Sequence, residues 1–244
     1  MQVSRSDSEW LTAYFAEVTR DLTPATLQPA LVVLHAAVSE DPEVTVRCSS
    51  VLSDDELHRA ECFAGQDEST LFKQRRAFRR YCGSLALGST GSLSQITFCS
   101  MENEQPRLLG LPEFCFSFSS CRLGFLAAWS STHTIGVDFE DPTRDLEAVD
   151  MARRFYSQAE ARAVENAAGL ARQRQFFRFW CLKEAALKSI GEGLPSGLDA
   201  FEFELDPVLR IVRAPPEHGT PGKFKASLVE GTDGCAAAVI RILD

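Results

Sequence analysis

One short pattern occurs twice in this chain, at a fixed spacing. Ser53-Asp54-Asp55-Glu56 and Ser157-Gln158-Ala159-Glu160 lie 104 residues apart. A serine with a glutamate three residues on predicts a helix start in which each side chain caps the other's backbone N–H. A long helix follows each box. The first spans 72–87, carries a dense basic face and ends at Gly88; the second spans 176–190 and ends at Gly191. Glycine is a common helix stop. Phe72 and Phe176 are again 104 apart. Strand-like runs come next, over 95–100, 113–118 and 123–129 in the first stretch and 200–205, 223–229 and 235–242 in the second. Helix, helix, strands, twice over, predicts a duplicated α+β unit with its junction near residue 130. Sites shared by two halves often lie in the cleft between them.

Residues 8–22 read as an amphipathic helical lead, with Trp10, Leu11, Tyr14, Phe15 and Val18 at helical spacing, and 31–38 as a buried strand. No apolar run approaches the roughly 20 residues that span a bilayer, and the opening MQVSRSDSEW is too polar for a secretory signal. A cytoplasmic protein with no membrane contact is expected. The net charge of −9 disfavours a nucleic-acid partner. Yet Lys73, Arg75, Arg76, Arg79 and Arg80 crowd one short segment. That suits a small anionic ligand, or an ordinary solvated helix face. Eight cysteines without zinc-ligand spacing read as reduced core thiols. His35, His58, His133 and His218 share no ligand spacing and read as structural or exposed.

Two stretches carry chemistry. In Ile135-Gly136-Val137-Asp138-Phe139-Glu140, strand alternation puts Asp138 and Glu140 on one face and Phe139 on the core side. Paired carboxylates repel, and a hard divalent cation offsets that directly. An edge strand with two solvated acids reads equally well. In Phe179 to Lys188, Trp180, Glu184 and Lys188 share one helical stripe. An acid and a base beside an aromatic suit proton transfer and phosphate binding; a plain surface ion pair fits too.

Together and in this order, the two stretches resemble the 4'-phosphopantetheinyl transferases of the surfactin-synthetase-activating type. Gly136-Val137-Asp138-Phe139-Glu140 fits the family's Gly-[Ile/Val]-Asp-x-Glu strand. Trp180-Cys181-Leu182-Lys183-Glu184-Ala185-Ala186-Leu187-Lys188 fits its Trp-x-x-Lys-Glu helix. Gly191-Glu192-Gly193-Leu194 and Arg154-Phe155-Tyr156-Ser157 with Glu160 match further family segments. The resemblance covers about residues 50 to 240. It implies an α+β fold of two pseudo-symmetric halves, each an antiparallel sheet packed with a long helix. The expected organisation is a helical extension over 1–28, a first half over 29–130 and a second over 131–244, with the metal site at their interface. The resemblance implies that the phosphopantetheine arm of coenzyme A passes to a serine of an apo-carrier protein, releasing adenosine 3',5'-bisphosphate. Asp138, Glu140 and Glu184 would bind Mg2+. Glu184 and Lys188 would be catalytic, as base and as phosphate contact or proton donor. Arg59, Arg75, Ser119, Ser120 and Lys188 would hold coenzyme A.

Two departures stand out. Ser120 takes the place of the histidine expected to touch the 3'-phosphate, and Gln105, in Glu104-Gln105-Pro106, that of a lysine; Arg107 is the candidate replacement cation. Arg79 and Arg80 read as solvated. A carrier-docking surface is expected near Arg153, Arg154, Phe155 and Tyr156, and a monomer is expected from the internal duplication. Two other functions suit the same residues: a metal-dependent phosphoesterase, and a non-catalytic relative that binds a carrier or coenzyme A.

Overall fold

The computed structural model describes residues 5–88, 91–99, 105–192 and 197–243. Helix α1 (Arg5–Val18) leads into β1 (Arg20–Asp21), β2 (Val32–Ala37), α2 (Pro42–Ser50), α3 (Asp54–Glu61) and α4 (Gln66–Leu87). Strands β3 (Phe98–Cys99), β4 (Arg107–Leu108), β5 (Cys115–Cys121) and β6 (Gly124–Ser130) complete this half. The second half runs β7 (Thr134–Glu140), α5 (Ala148–Phe155), α6 (Gln158–Asn166), α7 (Gly169–Ser189), β8 (Glu202–Glu204), β9 (Arg210–Arg213), β10 (Phe224–Leu228) and β11 (Cys235–Arg241).

Both expected capping boxes form. Ser53 accepts from Glu56 N while Glu56 accepts from Ser53 N, and Ser157 and Glu160 do the same. Both long helices stop where expected, with Gly88 and Gly191 in the left-handed region (φ 59° and 75°) that costs glycine little. Each helix starts before its anticipated phenylalanine. The anticipated strands over 95–100 and 200–205 shrink to Phe98–Cys99 and Glu202–Glu204, each preceded by a 3-10 turn. Ser100 lies outside the described residues.

The two sheets have matching strand orders: β2-β6-β5, with β1 added at the outer edge, and β7-β11-β10, all antiparallel. Helix α4 covers the first sheet and α7 the second. Alternate residues of each strand face opposite layers. Phe125, Ala127 and Trp129 of β6 join a core under α4, while Leu126 and Ala128 turn to the second sheet. There they meet Ile135, Val137, Phe139, Ala236, Ala238 and Ile240. Burial of that apolar layer, at roughly 25 cal/mol per Å², holds the halves face to face. Leu11 and Phe15 of α1 are buried in the first core. All eight cysteines are free; Cys48, Cys82, Cys181 and Cys235 are buried, whereas Cys62 and Cys99 are exposed, against the core reading.

Candidate active site

The site begins with a close approach of helix to strand. A Cβ built on Gly136 would lie 1.9 Å from the Ala185 carbonyl oxygen and 2.7 Å from Ser189 N. Only glycine lets α7 seat this closely on β7. The contact brings the α7 stripe over the face of β7 that carries Asp138 and Glu140. The opposite face, with Ile135, Val137 and Phe139, is buried between the sheets.

The acids are not solvated. Asp138 is buried and Glu140 half-buried. Lys188 does not pair with Glu184 one turn before it, as a plain surface helix would have it. Its Nζ donates to Asp138 Oδ1 (2.7 Å) and to the Val137 carbonyl (3.1 Å). Ser119, from β5 of the other half, also donates to Asp138 Oδ1 (2.8 Å). Two acceptor oxygens are left over: Asp138 Oδ2 and Glu184 Oε1 are buried without a hydrogen-bond partner. Such orphans are costly, and they fit a hard cation that takes carboxylate oxygens. Among the described residues, no three acidic, histidine or cysteine side chains stand close enough to enclose an ion as they lie. Glu140 is turned instead to Arg144 (2.9 Å).

The three carboxylates feel one another. Burial and the Asp138 charge push the Glu140 carboxyl up to about 7, Glu184 adding a smaller push. Burial and Asp138 likewise raise Glu184. Burial works against the Lys188 ammonium, but the Asp138 and Glu184 carboxylates outweigh it and hold its pKa above the usual lysine value.

Strand β5 separates this cluster from the cations. Ser119 faces Asp138, whereas the next residue, Ser120, accepts from Arg75 of α4 (3.3 Å). Arg59 and Arg75 both stack on Phe72. The arginine-rich face is not a solvated remainder. Arg76 and Arg80 converge on Glu56, whose side chain is 10% exposed. Arg79 packs on Phe118, its Nε buried without a partner.

Gln105 brings no charge where a lysine was expected, but its side chain has a structural role. Its Nε2 donates to the Ile135 carbonyl (2.7 Å) and to the Lys188 carbonyl, clasping β7 to the end of α7. Arg107, the candidate replacement cation, is exposed and donates one N–H to Pro112 O (3.0 Å) within its own loop. Glu104, Gly193 and Leu194 lie outside the described residues. Tyr156 is removed from the expected docking surface: it is buried, and its hydroxyl donates to Phe176 O (3.1 Å). Arg153 and Arg154 remain exposed, and Arg153 pairs with Glu165.

The sequence reading missed Lys183. It is wholly buried, paired with Glu160 (2.8 Å) and donating to Leu198 O and Phe201 O. Glu160 was legible only as a capping residue, and the repeat gave no signal for Lys183: its counterpart is Arg79, whereas Glu56 pairs with Arg76 and Arg80. Among the described residues no helix is long and apolar enough to cross a membrane.

Residues 134–240, spanning β7 to β11, match the family model described as the 4'-phosphopantetheinyl transferase superfamily. The 4'-phosphopantetheinyl transferase HetI of Nostoc sp. is 30% identical over 197 residues, covering 78% of each chain. The 4'-phosphopantetheinyl transferase Sfp of Bacillus subtilis is 28% identical over 142 residues, 56% of this chain and 60% of Sfp. The 4'-phosphopantetheinyl transferase ffp of Bacillus subtilis is 29% identical over 137 residues, with the same two shares.

Proposed function

The chain belongs to the 4'-phosphopantetheinyl transferase superfamily, and on that premise we propose that it transfers 4'-phosphopantetheine from coenzyme A to a serine of an apo-carrier protein with the help of Mg2+. The carrier serine oxygen bonds to the β-phosphorus, the phosphoanhydride bond to the α-phosphate breaks, and adenosine 3',5'-bisphosphate leaves. The observation that carries this reading is the pair of orphaned buried oxygens, Asp138 Oδ2 and Glu184 Oε1, beside Lys188.

Asp138 and Glu184 would hold the ion, with Glu140 joining on release from Arg144. Bound there, Mg2+ supplies positive charge against the phosphate oxygens. Lys188, fixed by Asp138 and the Val137 carbonyl, adds a second positive charge where negative charge grows. Glu184 is the base for the serine proton: a serine hydroxyl is a weak nucleophile and needs one. Ser119 and Lys188 hold Asp138 in place. Arg59, Arg75 and Ser120, on the other face of β5, take the 3'-phosphate end. Positioning and electrostatics carry most of the acceleration in phosphoryl transfer. The protein is proposed to act in the cytoplasm as a monomer.

The test is the intact mass of apo-carrier proteins of the acyl, peptidyl and aryl types after incubation with coenzyme A, Mg2+ and enzyme. One phosphopantetheine should be added per carrier, and Glu184→Gln should slow the gain on the order of a hundredfold to a thousandfold. A carrier set left unmodified by the wild-type protein refutes the proposal. Release of free phosphate, lost in the same variant, would point to the phosphoesterase instead. Tight carrier binding without modification would mark a non-catalytic relative.

A further inference from the structure

Five arginines of the first half outnumber the carboxylates that bond to them among the described residues. Arg59 lies on α3, and Arg75, Arg76, Arg79 and Arg80 lie on α4. Among the described residues one carboxylate bonds to this group, that of Glu56, and it takes Arg76 and Arg80. Arg75 finds the Ser120 hydroxyl, its Nε remaining buried and unpartnered. Arg79 makes no hydrogen bond to the described residues; its guanidinium rests on the Phe118 ring, 4.7 Å from the centroid. A guanidinium carries five N–H donors, and a ring face satisfies none of them.

The helix and strand periods match here. Arg75 and Arg79 are one turn apart on α4, and their partners Ser120 and Phe118 are two apart on β5. Both arginines therefore stand on the same side of that strand. The cluster of Asp138, Glu184 and Lys188 is reached from its other side, through Ser119. The reacting phosphate belongs with that cluster, which leaves the arginine side for the far end of the ligand.

We propose that Arg79 is the second cation of the coenzyme A 3'-phosphate grip, one helical turn from Arg75, supplying charge that Ser120 lacks. This rests on the transferase reading above. Two adjacent forks suit a phosphate monoester, whose oxygens accept parallel N–H bonds. Burial, with Arg75 and Arg76 close by, pushes Arg79 down to about 9. A dianion placed between the guanidiniums relieves that repulsion.

The test compares binding of coenzyme A and of 3'-dephospho-coenzyme A to the wild-type protein and to Arg79→Gln and Arg79→Lys. Arg79→Gln should weaken coenzyme A on the order of ten- to a hundredfold, as expected for lost charge-assisted hydrogen bonds, and leave the dephospho form within about twofold. Arg79→Lys keeps the charge without the fork and should lose an intermediate share, again only for coenzyme A. It also serves if the glutamine variant fails to fold. Unchanged discrimination in a folded variant, or equal loss of both ligands, overturns the proposal. A wild-type protein that binds neither ligand removes the transferase reading and this one with it. One that binds both, with Arg79 indifferent, removes this one alone.

Discussion

The two halves share a scaffold and differ in what they put on it. At the 104-residue offset, Asp138 and Glu140 of β7 correspond to Leu34 and Ala36 of β2, both buried beneath α4. Glu184 corresponds to Arg80, and Lys183 to Arg79. The second half thus carries carboxylates where the first carries apolar residues or arginine. The capping glutamates repeat the contrast: Glu160 closes on one wholly buried lysine, Glu56 on two partly exposed arginines. Duplication supplies two equivalent platforms. Opposite charge on them is what the proposed transfer, with an anionic ligand and a cation between the halves, requires.

The contrast can be broken most severely at its acidic end. Glu184→Gln should cost on the order of a hundredfold to a thousandfold in transfer rate, the size expected when a group acting on the transition state is removed. Its counterpart Arg80→Gln should cost less than about tenfold, because Arg80 is engaged with Glu56. Comparable losses in the two, measured at saturating coenzyme A, would erase the distinction.

Stability should divide the halves next. Lys183→Met leaves the buried Glu160 carboxylate without its counter-charge, held only by the Ser157 and Phe203 N–H groups, and should cost about 3–5 kcal/mol in urea unfolding. Arg76→Met leaves Glu56 still paired with Arg80 and should cost about 1 kcal/mol. Gly136→Ala falls between them. Its Cβ cannot coexist with the Ala185 carbonyl, so α7 must lift, at about 1–3 kcal/mol and with a matching fall in transfer.

The smallest effect is a pH dependence. In metal-free protein the Glu140 carboxyl titrates near 7 rather than 4.5. Between those values the folded state binds the extra proton, so this group's contribution to stability falls as pH rises through that window. Glu140→Gln cannot titrate. Its unfolding temperature relative to wild type should therefore rise from pH 5 to pH 8; a constant difference would mean that Glu140 is not shifted.

Much of this was legible from local patterns. A capping box is a four-residue property, and both formed. Strand alternation placed Phe139 inward and the acids together on the other face. What failed to show was pairing across elements. The i,i+4 rule assigns Lys188 to Glu184, yet the strand under the helix offers it Asp138 at shorter reach. Burial of Lys183 needs carbonyls from the loop before β8, which no local window contains. Gln105 reads only as a lost cation, and that its amide clasps two backbone carbonyls shows only in the fold. Tertiary neighbours decided each of these cases.

A crystal structure of the protein grown with coenzyme A and Mg2+ bears most directly on the shared cleft. The account predicts one ion ligated by Asp138 and Glu184, the pyrophosphate beside Lys188, and the 3'-phosphate between Arg75 and Arg79. Coenzyme A bound away from β5, or an ion that leaves Glu184 untouched, would contradict it.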